Sequence, residues 1–357
     1  MNTRRWSLLV FLGTGLLGCS GSSSTDAGVA VDAGARVDGS ARVDAGSMSD
    51  AGPTDAGPAD AGAPATDPGV GTGSATTMVE QSVDIGATVP LTIYLPSDPS
   101  PAPVIVFHHG FQLGPSDYAS YGEHLASWGY VVVMPEMPGG LIGGPNHREL
   151  RAYMVALLDW IELGEGPLEG RVLVSQIGLA GHSLGGKISL LTAAGDARAR
   201  AVFGVDPVDA GGGPLGGSAE DFPSVTPELM GDIAAPIVLL GETTNASGGA
   251  FGMACAPEAD NFQQYYLHAT SPALEIEVLG ANHMSFLDNP DCGFTCSACT
   301  AGSDEPAMTR ALTRRYMTAF FNVVLRGETA YSTYLTGDAM ATDVTDGWVL
   351  SQAKNAF

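Results

Sequence analysis

Positive charge is scarce in this chain. It has 15 Lys and Arg against 39 Asp and Glu, a formal net charge of −24 at pH 7. Such an acidic surface repels phosphate backbones and anionic lipid headgroups. We therefore expect no nucleic-acid partner and no polyanionic substrate.

Long apolar runs are also scarce, and the longest, from Leu8 to Leu17, is too short to span a bilayer. It follows Arg4 and Arg5 and ends in Leu16-Leu17-Gly18-Cys19, which is typical of a bacterial lipoprotein signal. We expect residues 1–18 to be a signal peptide, cleaved before a lipidated Cys19. An ordinary signal peptide with a chance cysteine is the alternative. The protein would then be exported and held at the cell envelope, at the outer membrane or cell surface, with that lipid as its membrane contact.

Large apolar side chains are nearly absent from residues 19–75. This segment carries six copies of Asp-Ala-Gly, which begin at Asp26, Asp32, Asp44, Asp50, Asp55 and Asp60. A segment of this composition cannot bury enough surface to offset its chain entropy. It is predicted to be a disordered tether, and residues 76–357 to form a single catalytic domain that we expect to be monomeric.

Cysteine is limited to five residues. If Cys19 carries lipid, an exported chain leaves four candidates for two disulfides: Cys255, Cys292, Cys296 and Cys299. The last three share a C-x3-C-x2-C spacing with some iron–sulfur enzymes, but export favours disulfides. No histidine has the spacing for zinc. We expect no metal and no cofactor.

Short apolar segments alternate with helical periodicity through the predicted domain. This alternation predicts an α/β fold, a doubly wound and mostly parallel sheet with helices on both faces. Strands are predicted around 79–85, 89–95, 104–107, 130–134, 177–180, 201–205, 236–240 and 274–279, and helices around 117–128, 148–163, 187–194 and 307–325.

Gly181-His182-Ser183-Leu184-Gly185-Gly186 lies between a predicted strand and a predicted helix. A G-x-S-x-G there is typical of a nucleophile elbow, a tight turn that presents the serine at the carboxyl end of the sheet. Ser183 is the predicted nucleophile. The backbone N–H groups of Leu184 and of Phe111, which follows His109-Gly110, are predicted to form an oxyanion hole.

An acyl-transfer serine needs a base and an orienting carboxylate, in the chain order Ser…Asp/Glu…His for this elbow. Of the seven histidines, His283 has the expected place, just after the last predicted strand. His182 lies inside the elbow and is expected to point away. Asp206 and Glu242 each end a strand after the elbow, and spacing alone leaves the choice between them open.

The combination of these motifs resembles the chlorophyllase group of α/β-hydrolases. The resemblance rests on 103–111, 125–132, 181–187, Val205-Asp206-Pro207-Val208, Cys255-Ala256-Pro257 and His283-Met284 with Leu287-Asp288. It implies the α/β-hydrolase fold, Asp206 as the acid, disulfides in the late region, and ester hydrolysis without a cofactor. Plant members usually have arginine after the nucleophile, where this chain has Leu184. The wider group includes cutinase-like and polyester-cleaving enzymes with the elbow G-H-S-M-G-G.

We therefore expect a serine-dependent carboxylic ester hydrolase that acts outside the cytoplasm on a small-molecule or polymeric ester. A cutinase-, polyester- or lipase-type hydrolase is an alternative, although no insertion looks long enough for a large lid. A non-catalytic surface lipoprotein on a hydrolase scaffold is another. An intact set of Ser183, Asp206 and His283 in the expected order argues against it.

Overall fold

The computed structural model describes residues 66–139, 144–211, 217–249, 254–291 and 293–357. The predicted signal peptide, Cys19, the tether up to residue 65 and Cys292 lie outside these residues. Within them, no helix combines the length and apolar character needed to cross a membrane.

The described strands form one nine-stranded sheet in the order β1-β2-β4-β3-β5-β6-β7-β8-β9. The pairs from β4 through β8 are parallel, while β1 and β2 at one edge and β9 at the other pair antiparallel. The bounds are β1 Thr76–Asp84, β2 Thr88–Pro96, β3 Ala102–His108, β4 Val131–Pro135, β5 Val172–His182, β6 Ala199–Val205, β7 Ile237–Gly241, β8 Ala273–Val278 and β9 Val349–Lys354.

Helices cover both faces of the sheet, which confirms the predicted doubly wound α/β-hydrolase architecture. One apolar core contains side chains of α2, α3 and α4, and the other contains side chains of α1 and α6. The bounds are α1 Ala119–Ser127, α2 His147–Leu163, α3 Leu184–Ala193, α4 Phe262–His268, α5 Phe294–Ser297, α6 Pro306–Arg326 and α7 Asp338–Thr345.

The central strands are apolar along their whole length because helices cover them on both sides. Every residue of β3 and of β4 is buried. The carboxyl ends of β3, β5, β6 and β7 therefore meet along one rim of the sheet, where chemistry is expected in open α/β folds.

The C-terminal segment adds a strand that the sequence did not indicate. β9 pairs antiparallel with β8 from Val278↔Val349 to Ala273↔Lys354. Its alternation is weak, with only Val349 fully buried and polar residues at Ser351, Gln352 and Lys354. An edge strand of this kind is determined by its neighbour and not by its own pattern.

The last described residues of the predicted tether contact the domain. Asp67 forms an ion pair with Arg315 at 2.8 Å, and the carbonyl of Pro68 accepts a hydrogen bond from His124 Nε2 at 2.8 Å. The indole of Trp128 donates to the carbonyl of Val70. These contacts connect the chain just before β1 to α1 and α6.

Candidate active site

The elbow between β5 and α3 presents Ser183 at the rim of the sheet. Ser183 has φ 54° and ψ −121°, a left-handed conformation that L-residues rarely adopt and that costs about 1–3 kcal/mol. A Cβ on Gly181 would lie 2.4 Å from Gly185, and a Cβ on Gly185 would lie 2.0 Å from the carbonyl oxygen of His108. Only glycine fits at both positions, because helix α3 begins directly against the end of β3.

Ser183, His283 and Asp206 form one continuous hydrogen-bonded chain. His283 Nε2 lies 2.9 Å from Ser183 Oγ, and His283 Nδ1 lies 2.5 Å from Asp206 Oδ2. Asp206 is fully buried and His283 is 4% exposed. A carboxylate can only accept, so Nδ1 carries the hydrogen and the Nε2 lone pair faces the Ser183 hydroxyl.

Glu242 follows β7, the strand next to that of Asp206, and the imidazole of His283 bonds to Asp206 and not to Glu242. The Glu242 backbone N–H donates to Asp206 Oδ1 at 3.4 Å, and Glu242 Oε2 accepts from the Asn245 N–H at 2.9 Å. Burial, and then the adjacent charge of Asp206, raise the pKa of Glu242 to about 9. The carboxylate that contacts His283 is therefore Asp206, and Glu242 is a neutral neighbour at pH 7.

Among the residues that the structure describes, Asp206, Glu242 and His283 form a group that could offer metal ligands, with donor atoms within 4.8 Å of one another. His283 Nδ1 is already bonded to Asp206, and Glu242 Oε2 already accepts from a backbone N–H, although Glu242 Oε1 has no hydrogen-bond partner. This arrangement fits a hydrogen-bonded acid–base pair better than an open coordination site.

The loop that carries His283 is held by Asn245, which the sequence analysis did not identify. Asn245 Oδ1 accepts from the His283 backbone N–H at 2.8 Å, and Asn245 Nδ2 donates to the carbonyl of Thr300 at 2.9 Å. The Cys255–Cys299 disulfide, with an S–S distance of 2.05 Å, joins the same two segments. Cys296 is disulfide-bonded as well. No spacing rule in the sequence would have selected Asn245, because its partner lies 38 residues away.

The predicted oxyanion donors are placed by neighbouring elements. Leu184 is the first residue of α3, so its N–H has no carbonyl partner within the helix. Phe111 follows the end of β3, where His108 pairs with Gly181 of the elbow strand. His109 supports this loop: its Nε2 accepts from the Met137 N–H at 3.0 Å, and its Nδ1 donates to the carbonyl of Gly110 at 2.7 Å.

A buried ion pair lies one helical turn beyond the nucleophile. Lys187 of α3 lies 3.2 Å from Asp209, and both side chains are fully buried. The Asp209 carboxylate also accepts from the Val225 and Thr226 N–H groups and the Ser224 hydroxyl. The pair therefore connects the helix after Ser183 to the chain around residue 225. A lysine as the one charged residue of α3 was the sequence signal for a partner, since such charges are rarely buried alone.

His182 and His124 have hydrogen-bond partners other than Ser183. His182 contacts the hydroxyl of Tyr118 and the carbonyl of His283. His124 lies in α1 and bonds to Pro68 and Thr318. His268 is the last residue of α4. Among the histidines, His283 is the one whose ring lies within hydrogen-bond distance of Ser183 Oγ, at 2.9 Å.

Comparison with known proteins agrees with this geometry. The family model described as chlorophyllase matches residues 69–344. Chlorophyllase-2 of Arabidopsis thaliana is 23% identical over 237 residues, 62% of this chain and 73% of that protein. Chlorophyllase type 0 of Chenopodium album is 27% identical over 273 residues, 69% of this chain and 74% of that protein. The chain therefore belongs to the chlorophyllase family, and this membership supports a carboxylesterase-type hydrolase.

Proposed function

We propose that this protein is a serine-dependent carboxylic ester hydrolase in which Ser183 is the nucleophile, His283 the general base and Asp206 the orienting acid. The observation that carries the proposal is the hydrogen-bonded chain Ser183 Oγ–His283 Nε2 and His283 Nδ1–Asp206 Oδ2, at 2.9 and 2.5 Å. These distances are those required of a nucleophile within reach of its base, with the base oriented by a third group.

The reaction follows from the proton positions. His283 Nε2 accepts the Ser183 proton as Oγ attacks the ester carbonyl, and buried Asp206 stabilises the imidazolium that forms. The N–H groups of Leu184 and Phe111 stabilise the oxyanion; loss of one such donor typically lowers kcat by about 10²–10³-fold. His283 then protonates the leaving alcohol. Water, activated by the same imidazole, releases the acid from the acyl-enzyme, and Ser183 regains its proton.

The substrate we propose is a neutral ester, either a small molecule or a polymer. The net charge of −24 disfavours anionic substrates. Phe111, whose N–H is one of the proposed oxyanion donors, has a side chain that is 39% exposed and offers an apolar contact. The plant relatives are named chlorophyllases, so a chlorophyll ester is a second candidate. We also propose that the enzyme acts outside the cytoplasm on a Cys19 lipid anchor, because residues 1–19 have the pattern of a lipoprotein signal.

Ser183→Ala tests the proposal, with Ser189→Ala as its matched control. Ser189 is a buried serine of α3, the helix that follows Ser183, and its hydroxyl donates to the carbonyl of Ala180 at 3.0 Å. We expect Ser183→Ala to lose at least about 10³-fold of the esterase rate and all labelling by a fluorophosphonate probe. Ser189→Ala should retain both.

The assay uses p-nitrophenyl esters of increasing acyl length, beside chlorophyll and a polyester film. A wild-type protein that turns over none of these and takes up no probe would indicate a non-catalytic surface protein. Near-normal turnover by Ser183→Ala would show that another residue is the nucleophile.

A further inference from the structure

Tyr118 contacts two segments of the site through one hydroxyl. It ends the 3-10 turn Pro115–Tyr118 and is fully buried. The Gly110 N–H donates to its oxygen at 3.1 Å, and the same oxygen lies 2.7 Å from His182 Nδ1. A Cβ on Gly110 would lie 3.1 Å from His182 Nδ1 and 3.2 Å from the Tyr118 oxygen. The loop before Phe111 therefore packs directly on this pair.

His182 continues the connection to the base. Its Nε2 lies 2.9 Å from the backbone carbonyl of His283, and the two rings are 4.6 Å apart. A carbonyl can only accept, so Nε2 carries the hydrogen and Nδ1 of the neutral ring must accept. The Tyr118 hydroxyl then donates to Nδ1 and accepts from Gly110. All three bonds run in one direction, from the Gly110 N–H to the His283 carbonyl.

The neutral ring is the one that this environment favours. Burial, and next the neighbouring His283, hold the pKa of His182 well below its usual value. A second ring hydrogen would face the Tyr118 oxygen and leave the Tyr118 hydrogen without its acceptor. In the described part of the chain, the side chains that contact the ring are those of Tyr118, His283 and Phe286, and none of these is a carboxylate.

We propose that Tyr118 and His182 are positioning residues that join the oxyanion loop, the nucleophile elbow and the loop of His283 into one rigid unit. The inference rests on the proposed esterase function. Its physical basis is that strand pairing aligns β3, β5 and β8, while each reacting group lies beyond the end of its strand. A cross-link through buried side chains is needed to hold those loops within the tolerance of catalysis.

The first test is Tyr118→Phe, which removes one hydroxyl and keeps the ring. The Gly110 N–H and His182 Nδ1 both lose their partner, so we expect kcat to fall about 10–100-fold and KM to change less than about threefold. Tyr130→Phe is the matched control, since it removes a buried hydroxyl that donates to Asn322 at 2.6 Å, far from Ser183. It should leave kcat within about twofold of the wild type, at comparable thermal stability.

Two variants of His182 distinguish its bond to Tyr118 from its bond to the His283 carbonyl. In His182→Gln the longer amide can still donate to the His283 carbonyl but no longer accepts from Tyr118. In His182→Asn the shorter amide can still accept from Tyr118 but does not reach His283. We expect His182→Gln to lose no more kcat than Tyr118→Phe and to add little to it in the double variant, because the bond that it breaks is one of the two that Tyr118→Phe already breaks. Additive losses in that cycle would contradict a shared role.

NMR of the histidine rings provides a readout independent of turnover. The His182 ring should show hydrogen on Nε2 and stay neutral through the pH range in which the fold is stable. Tyr118→Phe should shift the resonances of His283 and the Phe111 amide, whereas Tyr130→Phe should not. Absent turnover by the wild type would refute the esterase proposal. Full kcat in Tyr118→Phe, or unchanged His283 and Phe111 resonances, would refute the positioning role.

Discussion

Glu242→Gln should stabilise the protein at neutral pH, although it removes a buried side chain next to the proposed acid. Glu242 is fully buried, and its pKa is raised from 4.5 to about 9. Glutamine has the same shape, is neutral at every pH, and can keep the bond from the Asn245 N–H to Oε2. Its neutrality reproduces the protonated form that the native state prefers.

The sign and size of this stabilisation follow from the difference in proton binding between the native and unfolded states. Below pH 4.5 the carboxyl is protonated in both states, and between pH 4.5 and about 9 only the native state keeps the proton. The free energy of unfolding therefore falls as pH rises through this window, by about 1.4 kcal/mol per pH unit. At pH 7 the free energy of unfolding of the wild type has fallen by up to about 3 kcal/mol because of this group, whereas that of Glu242→Gln has not fallen on this account.

Urea denaturation at pH 5, 7 and 8.5 measures this difference. The free energy of unfolding of Glu242→Gln minus that of the wild type should be small at pH 5 and increase at each step. Glu169→Gln removes an equal charge from an exposed position and should give a flat difference within about 0.5 kcal/mol. A pH-independent difference for Glu242→Gln would show that Glu242 is already ionised at neutral pH, and the reasoning would be wrong.

Three further predictions follow from the site and the sequence. Asp206→Asn should lower kcat for p-nitrophenyl esters by about 10⁴-fold, because an amide no longer selects the productive tautomer of His283, while Glu242→Gln should cost less than about tenfold; the reverse order would place the acid on β7. Mass spectrometry without reduction should find the protein four hydrogens short, two of them from Cys255–Cys299, and free thiols at those two positions would contradict the structure. Cells that express the wild type should carry the enzyme in the detergent-extracted membrane fraction, whereas Cys19→Ser should not be lipidated; wild-type protein found in the soluble exported fraction would exclude the anchor.

Local sequence patterns were sufficient for the elements that determine the architecture. The fully buried β3 was predicted from an unbroken apolar run, β4 from its place as the next short apolar segment, and the elbow from glycines at both sides of Ser183. These features are encoded within a few residues, because a strand covered on both faces needs apolar side chains throughout and a tight turn tolerates only glycine. The sequence also selected His283, the histidine that bonds to Ser183 Oγ, because its place after the last parallel strand follows from chain order.

Only the tertiary structure decided which groups contact each other across the rim. Asp206 and Glu242 follow adjacent strands. Asp206 bonds to His283 Nδ1, whereas the Glu242 carboxylate accepts from the Asn245 N–H, and this difference depends on the path of the backbone beyond each strand. Asp206 turns back with φ 41°, which no spacing rule indicates. Asn245, Tyr118 and the Lys187–Asp209 pair were missed for the same reason, since each partner is distant in sequence. Strand β9 was missed because an exposed edge strand needs only a neighbour to pair with. Short-range periodicity records what a segment must bury, whereas the partner that satisfies a buried polar group depends on the packing of the whole chain.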